Sequence, residues 1–151
     1  MKNNKNIREY SLGLLAKRDY TEQRIKEKFF EKKYSEEEIA ESLKWLKEKD
    51  FINDDRFTEN YVKCRILNIK TGKQKLYFKL KQLGIGKELI EKHLRAVKEE
   101  DELEKAKELS KRWLVKNEEK DKKYERLGHH LAGKGYEIDV IREVLGKILN
   151  S

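Results

Sequence analysis

No proline occurs anywhere in the 151 residues, so nothing forces a kink or a break inside a helix. There is one cysteine, Cys64. An internal disulfide is therefore excluded, which fits a reducing cytoplasm. No apolar run approaches the roughly 20 residues of a membrane-spanning helix, so a membrane is not an expected partner. The first six residues, Met1 to Asn6, are polar and basic. They read as a flexible arm and not as a secretory leader. Hydrophobic residues reach only 36%, against 44% charged, where about 25% charged is ordinary. Such a composition is compatible with disorder, but the apolar residues here are not scattered.

Ile25, Phe29, Tyr34, Ile39 and Leu43 recur as Leu76, Leu80, Ile85, Ile90 and Leu94, and again as Leu127, Leu131, Tyr136, Ile141 and Leu145. Each step is 51 residues. The expected fold is all-α, an elongated array of three tandem three-helix repeats covering residues 7–50, 51–99 and 100–151. A unit of about fifty residues is expected to complete its core only by stacking on its neighbours.

Local signals mark the helices. Thr21 is placed to cap the second helix of the first repeat. Ser35 and Glu38 form an S-x-x-E capping box that opens the third. Asn53 caps the first helix of the middle repeat, with Asp54 and Asp55 beside its dipole. Gly84 and Gly135, again 51 apart, read as left-handed C-caps. Lys33 holds that place in the first repeat and should weaken the stop there. In the middle repeat, Phe57, Tyr61 and Cys64 mark one stripe, and Val62, Ile66 and Ile69 another. A helix apolar on two sides is expected to be buried on two sides, wedged between the outer repeats.

Charge breaks the symmetry. The formal net charge is +8, which favours an anionic partner. Residues 51–100 carry 12 basic and 7 acidic side chains, while the flanking segments are nearly balanced. From Asn60 to Lys87 there is no acid at all. Elsewhere acids and bases alternate at helical spacing, as on a solvated face. The candidate binding residues are therefore Lys63, Arg65, Lys70, Lys73, Lys75, Lys79 and Lys81. Phe78 joins them as an aromatic turned away from Leu76 and Leu80, able to stack on a base or fill a partner's pocket.

No set of residues suggests catalysis. Asp54 and Asp55 are adjacent and diverge by about 100° on a helix, which suits capping better than metal binding. His129 and His130 have no ligand at metal spacing, and His93 has no evident partner. Cys64 reads as a small buried hydrophobe; Trp45 and Trp113 read as packing residues. No phosphate-binding glycine loop follows a strand. No cofactor or metal is expected, and an enzyme such as a nuclease is disfavoured.

The run Phe51-Ile52-Asn53-Asp54-Asp55-Arg56-Phe57-Thr58-Glu59-Asn60-Tyr61-Val62-Lys63-Cys64-Arg65 resembles the central motif of the RecX family. Gly72-Lys73-Gln74-Lys75-Leu76 and Leu80-Lys81-Gln82-Leu83-Gly84-Ile85 resemble its next block, and Leu14 to Thr21 with Ser35 to Ile39 its first. The resemblance implies three three-helix repeats and a cytoplasmic, monomeric regulator of the RecA recombinase. Such proteins bind in the groove of the RecA filament on single-stranded DNA and inhibit strand exchange and ATP hydrolysis. They also bind DNA themselves and have no catalytic centre. Arginines common in the family near position 75 are lysines here, which keep the charge but lose the bidentate fork. The competing reading is a stand-alone helical DNA-binding protein acting through its basic middle repeat.

Overall fold

The computed structural model describes residues 6–69 and 71–150, without the side chains of Asn68 and Ile69. Most of the expected amino-terminal arm, and Lys70, lie outside the described residues. The described chain is all-α. The first repeat contains α1 (Ile7–Leu15), α2 (Glu22–Glu31) and α3 (Glu36–Glu48). The second contains α4 (Asp54–Cys64), α5 (Lys73–Gln82) and α6 (Lys87–Arg95). The third contains α7 (Glu99–Lys116), α8 (Lys123–Gly133) and α9 (Ile138–Leu149). A π-helical turn, Arg65–Ile69, extends α4.

The caps form as the sequence signals. Thr21 accepts from the Arg24 N–H, Asn53 from the Arg56 N–H, and Ser35 and Glu38 complete a reciprocal box. Each satisfies donors that a helix N-terminus otherwise leaves open. The turn after the second helix is the same in all three repeats. Lys33, Gly84 and Gly135 have φ of 61°, 86° and 92°. The next residue in each case, Tyr34, Ile85 or Tyr136, donates to Phe29, Leu80 or Leu131. Lys33 therefore makes the same turn, but in a conformation that disfavours a side chain, which is how it weakens the stop. Lys33→Gly is expected to raise stability by about 0.5–1 kcal/mol, read as a higher melting midpoint.

Ile25, Leu76 and Leu127 are all buried, as are Phe29, Leu80 and Leu131, and Ile39, Ile90 and Ile141. They fall into three separate cores, one per repeat. This corrects the expectation that each repeat needs its neighbour to close its core. Half-buried aromatic side chains supply the missing cover from within: Tyr10, Tyr34 and Trp45 in the first repeat, Tyr77 in the second, Trp113 in the third.

The joints between repeats are built differently, from helix ends. Gly72, at the start of α5, donates its N–H to Lys134 O at 2.9 Å, and Gln74 donates to Gly135 O at 3.1 Å. One joint earlier, the Thr21 hydroxyl donates to Leu83 O at 2.6 Å. Thr21 and Gly72, Leu83 and Lys134, and Gly84 and Gly135 are each 51 residues apart. The joint thus repeats with the period of the core. The carbonyl end of α8 meets the N-terminus of α5, and that of α5 meets the N-terminus of α2. Opposite ends of helix dipoles face each other at both places.

A carboxylate reinforces each joint. Asp54 accepts from the Glu22 N–H at 2.9 Å, and Glu102 accepts from the Lys73 N–H. Burial raises the pKa of both, most strongly opposed at Asp54 by the Glu22 hydrogen bond and at Glu102 by the Lys73 charge. A carboxyl whose pKa rises on folding contributes most below its unfolded value, and loses that contribution as pH climbs through the folded value. Glu102→Gln keeps an acceptor and removes the buried charge. It is expected to raise stability at pH 7, where the buried carboxylate is charged at a cost that its raised pKa reports. The gain should vanish near pH 4, as thermal melts at the two pH values would show.

Candidate functional site

The acid-free stretch spans the π-helical turn and α5. On α5, Leu76 and Leu80 enter the second core while Phe78 is 66% exposed. At about 100° per residue, Phe78 lies between Lys75 and Lys79 on one side and Lys81 on the other. Among the described residues, none of these three ammonium groups meets a carboxylate. Lys81 instead lies 5.9 Å over the Tyr77 ring, and Tyr77 meets Phe78 edge to face at 5.8 Å. Phe78 and Tyr77 border a cavity of about 730 Å³ that Arg95 of α6 and Glu137 of the third repeat also line.

Other candidates fall elsewhere. Lys63 pairs with Glu59 at 2.8 Å and holds that carboxyl below its ordinary range. The acid lies just outside the acid-free run, one helical turn away, so Lys63 is charge-compensated. Lys73 is half-buried and its ammonium lies 3.9 Å from Glu102, so it belongs to the joint with the third repeat. Arg65 stacks on Tyr61, 4.8 Å from the ring centre, in a cleft facing the first repeat. Lys70 lies outside the described residues. The structure therefore brings Lys75, Phe78, Lys79 and Lys81 together and separates Lys63 and Arg65 from them, while Lys73 lines the cavity beside Phe78 with its ammonium held toward Glu102.

Three further expectations are corrected. Cys64 is exposed. Phe57 and Tyr61, on the same stripe, are half-buried against the second core and line a cleft that the first repeat also borders. Among the described side chains of α4 and its π-helical extension, Val62 and Ile66 are the buried apolar ones. His93 does have a partner: its Nε2 lies 2.5 Å from Asp55 Oδ1. Asp55 also takes Lys92 at 3.1 Å. The His93 hydrogen bond and then Lys92 hold Asp55 below the usual carboxylate range. Asp55 thus ties α4 to α6 and does more than complement a dipole. Arg56 is structural, bonded to Asp50 at 2.5 Å. Sequence reading missed Arg95 and Glu102, because no periodicity links them to α5. The signal available for Glu102 was its place in the acidic first turn of the long α7.

Among the described residues no three metal-ligating side chains converge, and no helix is long and apolar enough to cross a membrane. The fold and this surface define an all-α repeat protein with an uncompensated basic face on its middle repeat. The chain belongs to the RecX family. Models of the second and third three-helix domains of RecX match residues 53–94 and 99–145. Proteins named regulatory protein RecX are similar along most of the chain. That of Clostridium tetani is 35% identical over 145 residues, covering 93% of this chain and 66% of its own length. That of Clostridium beijerinckii is 31% identical, covering 94% and 68%. The chain therefore spans about two-thirds of these relatives' length. The crystal structure of RecX from Lactobacillus salivarius superposes with a TM-score of 0.88 at 20% identity, over 96% of each chain. That likeness concerns the fold.

Proposed function

We propose that this chain regulates the RecA recombinase by binding its filament on single-stranded DNA, without covalent chemistry, and that α5 carries the contact. The supporting observation is the exposed Phe78 set among Lys75, Lys79 and Lys81, with no acid paired to them among the described residues. An exposed aromatic ringed by cations, which a partner would desolvate on binding, suits a protein surface that lies next to phosphate. The two end-to-end joints hold α5 at both ends, so this face is presented on a fixed element. The relatives carry the name of regulatory proteins, which agrees with this reading. In it the chain acts as a cytoplasmic monomer that inhibits strand exchange and ATP hydrolysis.

Sedimentation of the labelled chain tests the partner. With RecA filaments on single-stranded DNA at about 0.15 M salt, binding is expected at least tenfold tighter than to the bare DNA. Equal affinity for both would instead support the stand-alone DNA-binding reading, in which backbone charge alone drives a salt-sensitive association.

A further inference from the structure

The first and second repeats enclose a cleft of about 530 Å³, floored by Phe57, Tyr61 and Leu83, which also pack against the second core. Three aromatic rings line it: Tyr20 from the loop before α2, and Phe57 and Tyr61 from α4. Phe57 and Tyr61 stack nearly parallel, 5.8 Å apart at 19°. Three arginines line it too. Arg65 lies 4.8 Å over Tyr61 and Arg18 lies 5.0 Å over Tyr20, while Arg24 reaches in from α2. The whole chain has nine arginines and 28 lysines. The cleft, with Lys28 as its one lysine, inverts that preference.

Arginine differs from lysine in that its planar guanidinium stacks on flat rings and forks onto phosphate. Half-buried rings with guanidinium groups over them form a surface on which another flat aromatic group can take a guanidinium's place. Asp19, Glu27 and Glu31 also border the cleft, so its net charge is nearly balanced and anion attraction alone does not define it. Glu27 and Glu31 are held by Arg24 at 3.0 Å and Lys28 at 3.7 Å in exposed pairs. Such pairs are weak and readily exchanged for a phosphate. Arg18 and Arg65 have no carboxylate partner among the described residues.

We infer that this cleft is a subsite for an unpaired base of a single-stranded nucleic acid, the base stacking on Tyr61 or Tyr20 and a neighbouring phosphate meeting Arg18 or Arg65. Paired bases in a duplex offer no free face to these rings, whereas every unpaired base does. The cleft is open to solvent, so a strand can enter and leave along the joint between repeats. None of these residues belongs to α5, and the subsite stands whether or not α5 contacts a filament.

Photo-crosslinking tests this on the unmodified protein. Oligothymidylate carrying 5-iodouracil is irradiated with the full chain, and the adducts are mapped by mass spectrometry. Adducts on Tyr20, Phe57 or Tyr61 are expected. Adducts confined to Tyr77 and Phe78, or no adduct under saturating strand, overturn the inference. Anisotropy titrations supply a second reading. Tyr61→Leu should weaken binding of labelled oligothymidylate about tenfold or more, the range for loss of one base–aromatic stack. It should leave binding of a base-free sugar–phosphate oligomer unchanged. Arg18→Glu, on an exposed loop, should weaken both ligands. Wild-type affinity in both variants, or equal losses of the two ligands in Tyr61→Leu, also overturns it.

Discussion

Gly72→Ala is expected to undock the third repeat from the second. A methyl group there would lie 2.2 Å from the Gly135 carbonyl carbon, 2.3 Å from its oxygen and 2.3 Å from the Tyr136 nitrogen. All three are backbone atoms, so no side chain can swing aside; the two segments must separate. Separation breaks the Gly72–Lys134 and Gln74–Gly135 hydrogen bonds. It also leaves the α5 N-terminus without a substitute cap, since alanine, like the glycine it replaces, has no side chain that accepts a hydrogen bond. Two lost bonds and the overpacking together amount to about 2–4 kcal/mol. Because each repeat has its own core, the loss should fall on the joint. Hydrogen exchange should show early loss of protection at Gly72 and Gln74 while the α4–α6 core stays protected. Gly146→Ala, in the interior of α9 with nothing within 4 Å of the added carbon, is the control. It is expected to stabilise the third repeat by about 0.5–1 kcal/mol.

The second large effect concerns charge. Lys75→Glu with Lys79→Glu replaces two unpaired ammonium groups by carboxylates on one face of α5. Their β-carbons are retained, so the packing of Lys75 against Gly135 is kept and the fold should melt as wild type does. Binding to a polyanionic or acid-lined partner surface should fall roughly 10–100-fold, mainly through weaker attraction and new repulsion of phosphate. Lys63→Glu is the informative comparison. Lys63 is already compensated by Glu59, and its loss should matter much less.

What the sequence disclosed and what it withheld divide along a physical line. Core positions such as Ile25, Leu76 and Leu127 repeat because each copy solves the same packing problem. Caps such as Thr21, Ser35 and Asn53 act within three residues. Both kinds of constraint leave a linear trace. The exposed Phe78 followed from the same helical spacing. The joint bonds cross 62 residues from Thr21 to Leu83 and 32 from Glu22 to Asp54, and the Asp55–His93 pair crosses 38. The 51-residue period marks Thr21 and Gly72, or Gly84 and Gly135, as equivalent, but it does not say that each meets a residue of another repeat. The glycines were visible as caps, but not as the places where one repeat's backbone lies on another's. Lys73 looked like part of a basic run because Glu102, its partner, comes 29 residues later in a different repeat. Arg65 looked like a phosphate contact of α5. The helix that carries it points it toward the first repeat, where it joins the aromatic cleft.

The most direct measurement of the central claim is ATP hydrolysis by RecA filaments on single-stranded DNA, titrated with this chain. Inhibition by the wild type at less than one chain per RecA subunit is predicted, with Lys75→Glu/Lys79→Glu requiring at least tenfold more protein for the same effect. Hydrolysis unchanged by the wild type, or equal inhibition by the charge-reversed variant, would contradict the assignment of α5 as the regulatory surface.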